Sequence, residues 1–599
     1  MKKWVALFVI LWIPLLVWGC DTSSHKQKES ISAHEHWWNE WKTVKSPSCV
    51  EDGEERRECY CGEIETRPLS AHGHGKEEWV VDVAATAEKM GQKSLHCGIC
   101  NTVLEVREIE KKVSQGLKYS VNSDKKTCMI VGLGECRDSV LSIPSVIDGY
   151  TVTAIYDSAF SKKSSITKLI LPETLTEIGS NAFSKATGLT EVYFPTSLKK
   201  IKAGAFDGCT NLKSIYVTDL KAWCSISFLD SPTENRDFYL NGKLVTDLVI
   251  SSDVTSISDG AFWGCRSLKS VTVSKSVTKM GTCAFSSCPN LTTVIFEDGA
   301  NATGEATFQK CEKLASVKLS NSLKTIGDSL FWNCVQLKNV TIPTTVRSIG
   351  TRAFFRCQSL TSMVIPEGVT VIPAALFGEC YQLKRVTLST KTTKIDFEAF
   401  SQCQALETIN LPNSITSIGR AAFCACSSLR KLDLPTSLTT IGASAFSGCE
   451  KLETLLLPST LRSIGWGAFS ECTSLKEIAI PLGVTKIDES TFYYCIALKT
   501  VMIPSSVTEI AYQAFAECSS LKSIVIPSSV KKIGSFAFEH APLEKIYYMG
   551  DANQWDLITK DLPNNEMFNT TVYYYSSSQP TEGSLILWWY YRDGVPTEW

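Results

Sequence analysis

Histidine is the scarcest chemistry-bearing residue in this chain of 599 residues, with seven in all: His25, His34, His36, His72, His74, His96 and His540. None falls between residues 97 and 539. No histidine-based catalytic triad and no histidine-ligated zinc site can be built within that stretch. An excess of either charge is also missing, since 60 Lys+Arg face 62 Asp+Glu for a net charge of -2. That balance lacks the basic footprint of a nucleic-acid binder. After the first twenty residues there is no apolar run of 18, so the remainder is expected to be soluble and outside the cytoplasm. Cysteine numbers 24, about 4% of the chain, well short of a disulfide-scaffold composition. This length ordinarily implies three or four domains unless the chain is built of repeats. The composition favours a large binding or scaffold protein over an enzyme.

Lys2 and Lys3 precede an apolar run from Trp4 to Trp18, which Gly19-Cys20 closes. A short basic segment, an apolar stretch too short to span a bilayer comfortably and a small residue before the break read as an export signal over residues 1–20. Val17-Trp18-Gly19-Cys20 resembles a bacterial lipobox, in which Cys20 is lipidated and becomes the new N-terminus. Trp18 departs from the small residue usual there, and the alternative is a non-lipidated signal peptide or an uncleaved anchor. Residues 21–40 offer little to bury and read as a flexible tether.

Residues 41–110 carry a weak tandem repeat with an offset of 38 residues: Trp41 matches Trp79, Gly53 matches Gly91 and Cys59 matches Cys97. Each copy closes on a cysteine pair, Cys59-Tyr60-Cys61 and then Cys97-Gly98-Ile99-Cys100, whereas Cys49 has Ala87 as its counterpart. A glycine in a polar turn between such segments predicts a small β-hairpin module. Cys49, Cys59 and Cys61 with His72 (or His74) would supply four ligands for a structural zinc, the second copy lacking a full set. Disulfides in an oxidising envelope are the alternative. Either chemistry would stabilise a unit with too little core, and no other cofactor is expected.

The dominant signal is an internal repeat. Phenylalanine recurs at Phe160, Phe183 and Phe206, then from Phe262 to Phe538 at every 23rd residue, sixteen copies in all. A cysteine follows three positions later in thirteen of the sixteen, from Cys209 and Cys265 through Cys518. In the copy at 337–359, Leu337, Val340 and Ile342 are the inward positions of a short strand that Pro343 ends. Val346 and Ile349 turn a second segment inward, Gly350 turns the chain, and Ala353-Phe354 opens a tight helical or 3₁₀ turn. No single coil can bury this apolar set, so about 16 coils must stack as a solenoid on a parallel β-sheet. At ~4.8 Å per coil the body would be roughly 75 Å long. Cysteines at one register would stand about one strand spacing apart with parallel side chains, too far for disulfides, so they read as small buried hydrophobes. Cys283 and Cys424 fall off that register.

These repeats resemble the BspA-like family of bacterial leucine-rich-repeat surface proteins, with the Treponema pallidum-type repeat, over roughly residues 115–599. The resemblance implies a solenoid over 115–545 with a parallel sheet on its concave side, an insertion near 219–249 and an aromatic C-terminal cap over 546–599. Within the insertion, Asn241-Gly242 is a hairpin-turn signal.

In the segment Leu-x-x-Val-x-Ile, the x positions project outward from the sheet. The residue four after the leading leucine becomes apolar in four successive coils, Leu456, Ala479, Met502 and Val525. Arg430, Lys476, Lys499 and Lys522 run beside them. An apolar stripe rimmed by cations suits a protein or glycan partner. A solubilised sheet with ordinary β-formers is the alternative. Three functions compete: a lipid-anchored surface adhesin or protein-binding module contacting host matrix or neighbouring cells through the concave face, as the family resemblance implies; a periplasm-facing scaffold lipoprotein; and, remotely, an envelope enzyme. Asp396 and Glu398 pair only as solvated charges, so no catalytic residues are assigned.

Overall fold

The computed structural model describes residues 35–86, 89–563, 570–580 and 586–599. Cys20, the export signal and the tether before Glu35 lie outside the described residues. The chain divides into two compact units between Lys111 and Lys112. Among the described residues no helix is long and apolar enough to cross a membrane.

The first unit contains two three-stranded antiparallel sheets. One is β1 (Lys42–Lys45), β2 (Gly53–Glu58) and β3 (Ile64–Leu69); the other is β4 (Glu77–Val83), β5 (Gly91–Cys97) and β6 (Val103–Ile109). Each copy is thus one strand larger than the expected hairpin. Their side chains are mostly exposed, and Trp38, Trp41 and Trp79 meet cations instead of a core. Trp41 lies between the guanidiniums of Arg57 and Arg67 at 4.6 and 4.3 Å, and Trp79 between Lys93 and Arg107 at 4.7 and 4.9 Å. Gly53 and Gly91 open β2 and β5 and do not form a turn. A Cβ on either would stand 2.5 Å from a carbonyl oxygen of the preceding strand, Lys45 or Val83, so close backbone approach demands the glycine.

The second unit is a β-solenoid of about 19 turns. A hairpin of β7 (Lys118–Val121) and β8 (Thr127–Gly132) begins it. Three turns beyond the sixteen phenylalanine coils lack the Ala-Phe signature. They are the first, with β8 and Val140–Ser142; the insertion, with Ser227–Phe228 and Asp237–Leu240; and the last, with Thr559–Lys560 and Thr571–Tyr575. Each coil lends one rung to each of two parallel ladders. Met363 pairs Val386 in the first ladder, and Ile349 pairs Ile326 in the second. Leu337, Val340, Ile342, Val346, Ile349, Ala353, Phe354 and Cys357 are all buried, as the repeat pattern requires.

The phenylalanines form two stacks, Phe160 to Phe206 and Phe262 to Phe538. From Phe262 to Phe285 the ring centroids are 5.0 Å apart and nearly parallel, and the widest step, Phe308 to Phe331, is 6.0 Å. The turn around each ring is not a helix. In all sixteen coils the residues two before and two after the phenylalanine are left-handed, with φ between 50° and 70°, and only six of these positions are glycine. An L-residue there costs roughly 1–2 kcal/mol. A ladder between coils holds it in place: the N–H groups of Arg352, Phe354 and Arg356 donate to the Ala374, Leu376 and Gly378 carbonyls at 3.0, 3.1 and 2.8 Å. Gly350 has an ordinary φ. Its role is close approach, since a Cβ there would meet the Asp328 nitrogen at 2.4 Å, and the left-handed residue is Arg352.

The insertion interrupts the phenylalanine stack, and Trp223 fills the gap. It sits on α1 (Leu220–Cys224), capped by the Asp219 carboxylate, and packs against Phe194, Phe228 and Phe238. Asn241-Gly242 makes the expected two-residue turn, with Leu240 opposite Lys243. The same device closes the solenoid: Asp551 caps α2 (Ala552–Asp556), which presents Trp555 to Tyr548 at 5.2 Å. Asp-x-x-x-Trp therefore marks two equivalent modules, at 219–223 and 551–555.

Candidate binding face and cysteine clusters

Strands of the first ladder alternate buried and outward residues, and the outward row carries the apolar stripe. Leu456 is 86% exposed and Met502 is 62% exposed. Ala479 lies exposed between them, and Val525 is half-buried in the following coil. Arg430, Lys476, Lys499 and Lys522 lie exposed beside this row. The rim is not a bare cationic rail. Lys476 pairs with Glu453 of the preceding coil at 2.7 Å, and Lys522 with Glu544 at 2.9 Å. The hydrogen bond from Lys476 holds the Glu453 carboxyl below its ordinary range.

The stripe runs into a groove of about 450 Å³ lined by Lys499, Met502, Val525, Tyr547, Tyr591 and Pro596 among others. Its far wall is the antiparallel pair Trp588–Arg592 and Val595–Glu598. Trp589 anchors that wall, fully buried, by donating its indole N–H to the Tyr548 carbonyl at 3.0 Å. Glu598 adds an ion pair with Lys545 and accepts the Tyr547 hydroxyl at 3.2 Å. Tyr591 and Pro596 were not anticipated as groove residues. The run Trp588-Trp589-Tyr590-Tyr591 before the Asp593-Gly594 turn was the available signal. At the other end of the same outward row Tyr193, Tyr216 and Tyr239 stack at 4.3 and 4.5 Å, also unanticipated.

In the first unit the structure divides the expected ligand set Cys49, Cys59, Cys61 and His72. Cys59 and Cys61 gather with His36, while Cys49 gathers with His74, Cys97 and Cys100. His72 belongs to neither group; its backbone N–H bonds the Ser48 carbonyl at 3.0 Å. The reason is geometric. Cys49 lies on the loop between β1 and β2, and that loop reaches the cysteine turn of the second copy, so the second copy does hold a complete donor set. Each turn closes on a left-handed residue: Gly62 N–H donates to the Cys59 carbonyl three residues back at 2.7 Å, and Asn101 N–H to the Cys97 carbonyl four residues back at 2.8 Å. Backbone N–H groups of Cys100 and Ile99 aimed at its sulfur pull the Cys97 thiol down to about 5. Burial, with the neighbouring Cys100 and Cys97, pushes Cys49 up to about 11. Among the described residues every cysteine is a free thiol.

A two-ladder solenoid with a leucine-anchored rung in each coil and an outward variable row defines the leucine-rich-repeat class of proteins. The family model for the BspA type leucine-rich repeat region, six copies long, matches residues 139–235, 233–361, 347–463 and 439–557. The chain belongs to that family. It is similar to a leucine-rich cell surface protein of Faecalibacterium prausnitzii, at 24% identity over 75% of this chain and 98% of that one, with a TM-score of 0.30. A leucine-rich repeat protein of Bacteroides ovatus aligns at 23% identity over 78% of this chain and all of its own, with a TM-score of 0.32. The leucine-rich repeat protein of T. pallidum covers 42% of this chain and 91% of its own, at 21% identity and a TM-score of 0.25. No match is found among curated proteins.

Proposed function

We propose that this chain is a cell-envelope lipoprotein acting as a surface adhesin or protein-binding module, which takes a protein or glycan ligand on the outward face of its first ladder. The observation that carries the reading is the exposed stripe Leu456–Ala479–Met502 running into the groove beside Tyr547 and Tyr591. A large apolar side chain left in water on every second rung gains by being covered, at roughly 25 cal/mol per Å². The export-type N-terminus and the family both support display outside the cytoplasm. Binding to immobilised matrix proteins and a glycan array tests the face: Leu456→Asp with Met502→Asp abolishes capture while thermal unfolding stays nearly unchanged. Equal capture by the parent and the double variant disposes of this face as the site.

A periplasm-facing scaffold is the second reading, favoured by Asp21, which after Cys20 resembles an inner-membrane retention signal of some bacteria. Protease shaving of intact cells separates the two. Loss of the solenoid while a periplasmic marker survives supports display. Protection until the outer membrane is broken supports the scaffold.

A further inference from the structure

Cys49, His74, Cys97 and Cys100 come from three separate segments: the β1–β2 loop, the approach to β4 and the β5–β6 turn. Their ligand atoms nevertheless all lie within 4.8 Å of one another. Cys49 Sγ is 3.8 Å from Cys97 Sγ, and Cys100 Sγ is 3.5 Å from His74 Nδ1. A tetrahedral zinc ion, with Zn–S near ~2.3 Å and Zn–N near ~2.05 Å, sets its own edges at roughly 3.8 Å for S···S and roughly 3.6 Å for S···N. A disulfide would instead bring two sulfurs to about 2.04 Å. We propose that these four residues form a structural zinc site that clamps the first cysteine module to the second.

The repeat itself supplies an independent argument. By the 38-residue offset His36 stands at the place of His74 and Cys59 at that of Cys97, yet the place of Cys49 in the second copy is Ala87. If each module lends its loop cysteine to the turn of the next, the last module has no successor to serve, and the missing cysteine is explained. The same rule gives the first turn no predecessor: among the described residues it gathers only His36, Cys59 and Cys61. Three donors hold zinc less firmly than a closed set of four. The second turn is also seated for the task. Gly98 N–H donates to the Lys76 carbonyl at 3.1 Å, and a Cβ on Gly98 would meet that oxygen at 2.5 Å, so the turn rests on the segment that carries His74. Loading the site holds Cys49, Cys97 and Cys100 as thiolates around one Zn²⁺, their remaining thiol protons passing to solvent, with no change of oxidation state. The ion supplies the cohesion that sheets with so little apolar burial lack.

The test is elemental analysis of the full chain purified without oxygen and dialysed against a chelator, with cobalt(II) replacing zinc in a parallel sample. The expected result is one firmly held zinc per chain and an intense visible spectrum from tetrahedral cobalt bound by three thiolates. Cys49→Ser and His74→Ala lose that metal, and Cys61→Ser keeps it. The thiolate count from the unmutated chain stands even if a variant fails to fold. Absence of zinc from the anaerobic protein overturns the site, as does zinc that survives Cys49→Ser but not Cys61→Ser. An intact mass short of two hydrogens, with Cys49 cross-linked to Cys97, overturns it too.

Discussion

The thiol of Cys426 donates to the carbonyl oxygen of Phe400, 3.1 Å away in the preceding coil. The bond recurs along the ladder, from Cys209 to Phe183 at 3.0 Å through Cys518 to Phe492 at 3.2 Å, except at Cys265, which follows the insertion and meets Ser267 Oγ instead. The phenylalanine carbonyl oxygen already accepts a backbone N–H within its own coil, as Cys403 N–H to Phe400 shows at 3.1 Å. The repeated cysteine is thus a core-filler that also occupies a buried carbonyl's second lone pair, which valine or alanine cannot do. Cys426→Ala is expected to cost about 1–2 kcal/mol, from lost packing and the lost S–H bond together. Urea denaturation of the variant reads that cost.

Alkaline pH should weaken the solenoid. Burial pushes Cys472 and Cys518 up to about 12 and Cys265 up to about 11, against an ordinary thiol value of 9.0. The unfolded chain therefore releases these protons first as pH rises. Stability is fully present below about pH 9 and is lost between there and pH 12, by up to about 1.4 kcal/mol per pH unit for each thiol. Denaturation midpoints from pH 8 to pH 10 should fall, and Cys472→Ala should fall less steeply than its parent. A flat profile would count against the buried-thiol account.

Glycine should be welcome where it is ordinarily harmful. Ala421 is left-handed, at φ 51°, and donates its N–H to the Ala443 carbonyl at 2.8 Å. Ala421→Gly removes the Cβ penalty at some cost in unfolded-chain entropy, for a net gain of about 0.5–1 kcal/mol. Ala422→Gly, at the buried neighbour before Phe423, should lose stability. Thermal unfolding of the pair gives the comparison.

The two tryptophans at the non-repeat coils should be interchangeable in their effects. Trp223 donates to the Ala261 carbonyl and Trp589 to the Tyr548 carbonyl, both at 3.0 Å and both buried. Either one changed to phenylalanine removes a buried hydrogen bond and leaves a void, costing about 2–4 kcal/mol. Loss of Trp589 should also loosen the groove wall, so proteolysis after Arg592 becomes faster only in that variant.

The coil interior was legible because stacking forces one residue type into each inward slot thirteen times over, so Phe, Cys and Leu stand at fixed steps. The outward row was legible for the same reason, by elimination. Left-handed residues were not, because inter-coil hydrogen bonds override local preference and leave Arg352, Glu379, Gln402 and Tyr494 where glycine would be the usual marker. The cysteine clusters misled because proximity in sequence groups Cys49 with Cys59, whereas the β1–β2 loop delivers it to Cys97. The second Asp-x-x-x-Trp module at 551–555 lay in plain view, hidden only by divergence of the residues between its two fixed points.

The Phe turns also carry a direction. Arg352, Phe354 and Arg356 give their N–H groups forward to the next coil, whose own Ala375, Phe377 and Glu379 do the same to the coil after. From Phe262 to Phe538 every junction therefore repeats the backbone bonding of its neighbours. A segment of 23 residues deleted or doubled in phase re-forms the same joint that it interrupts. Reach, and with it the number of outward rungs on display, can be lengthened or shortened by recombination within the gene without altering that backbone ladder.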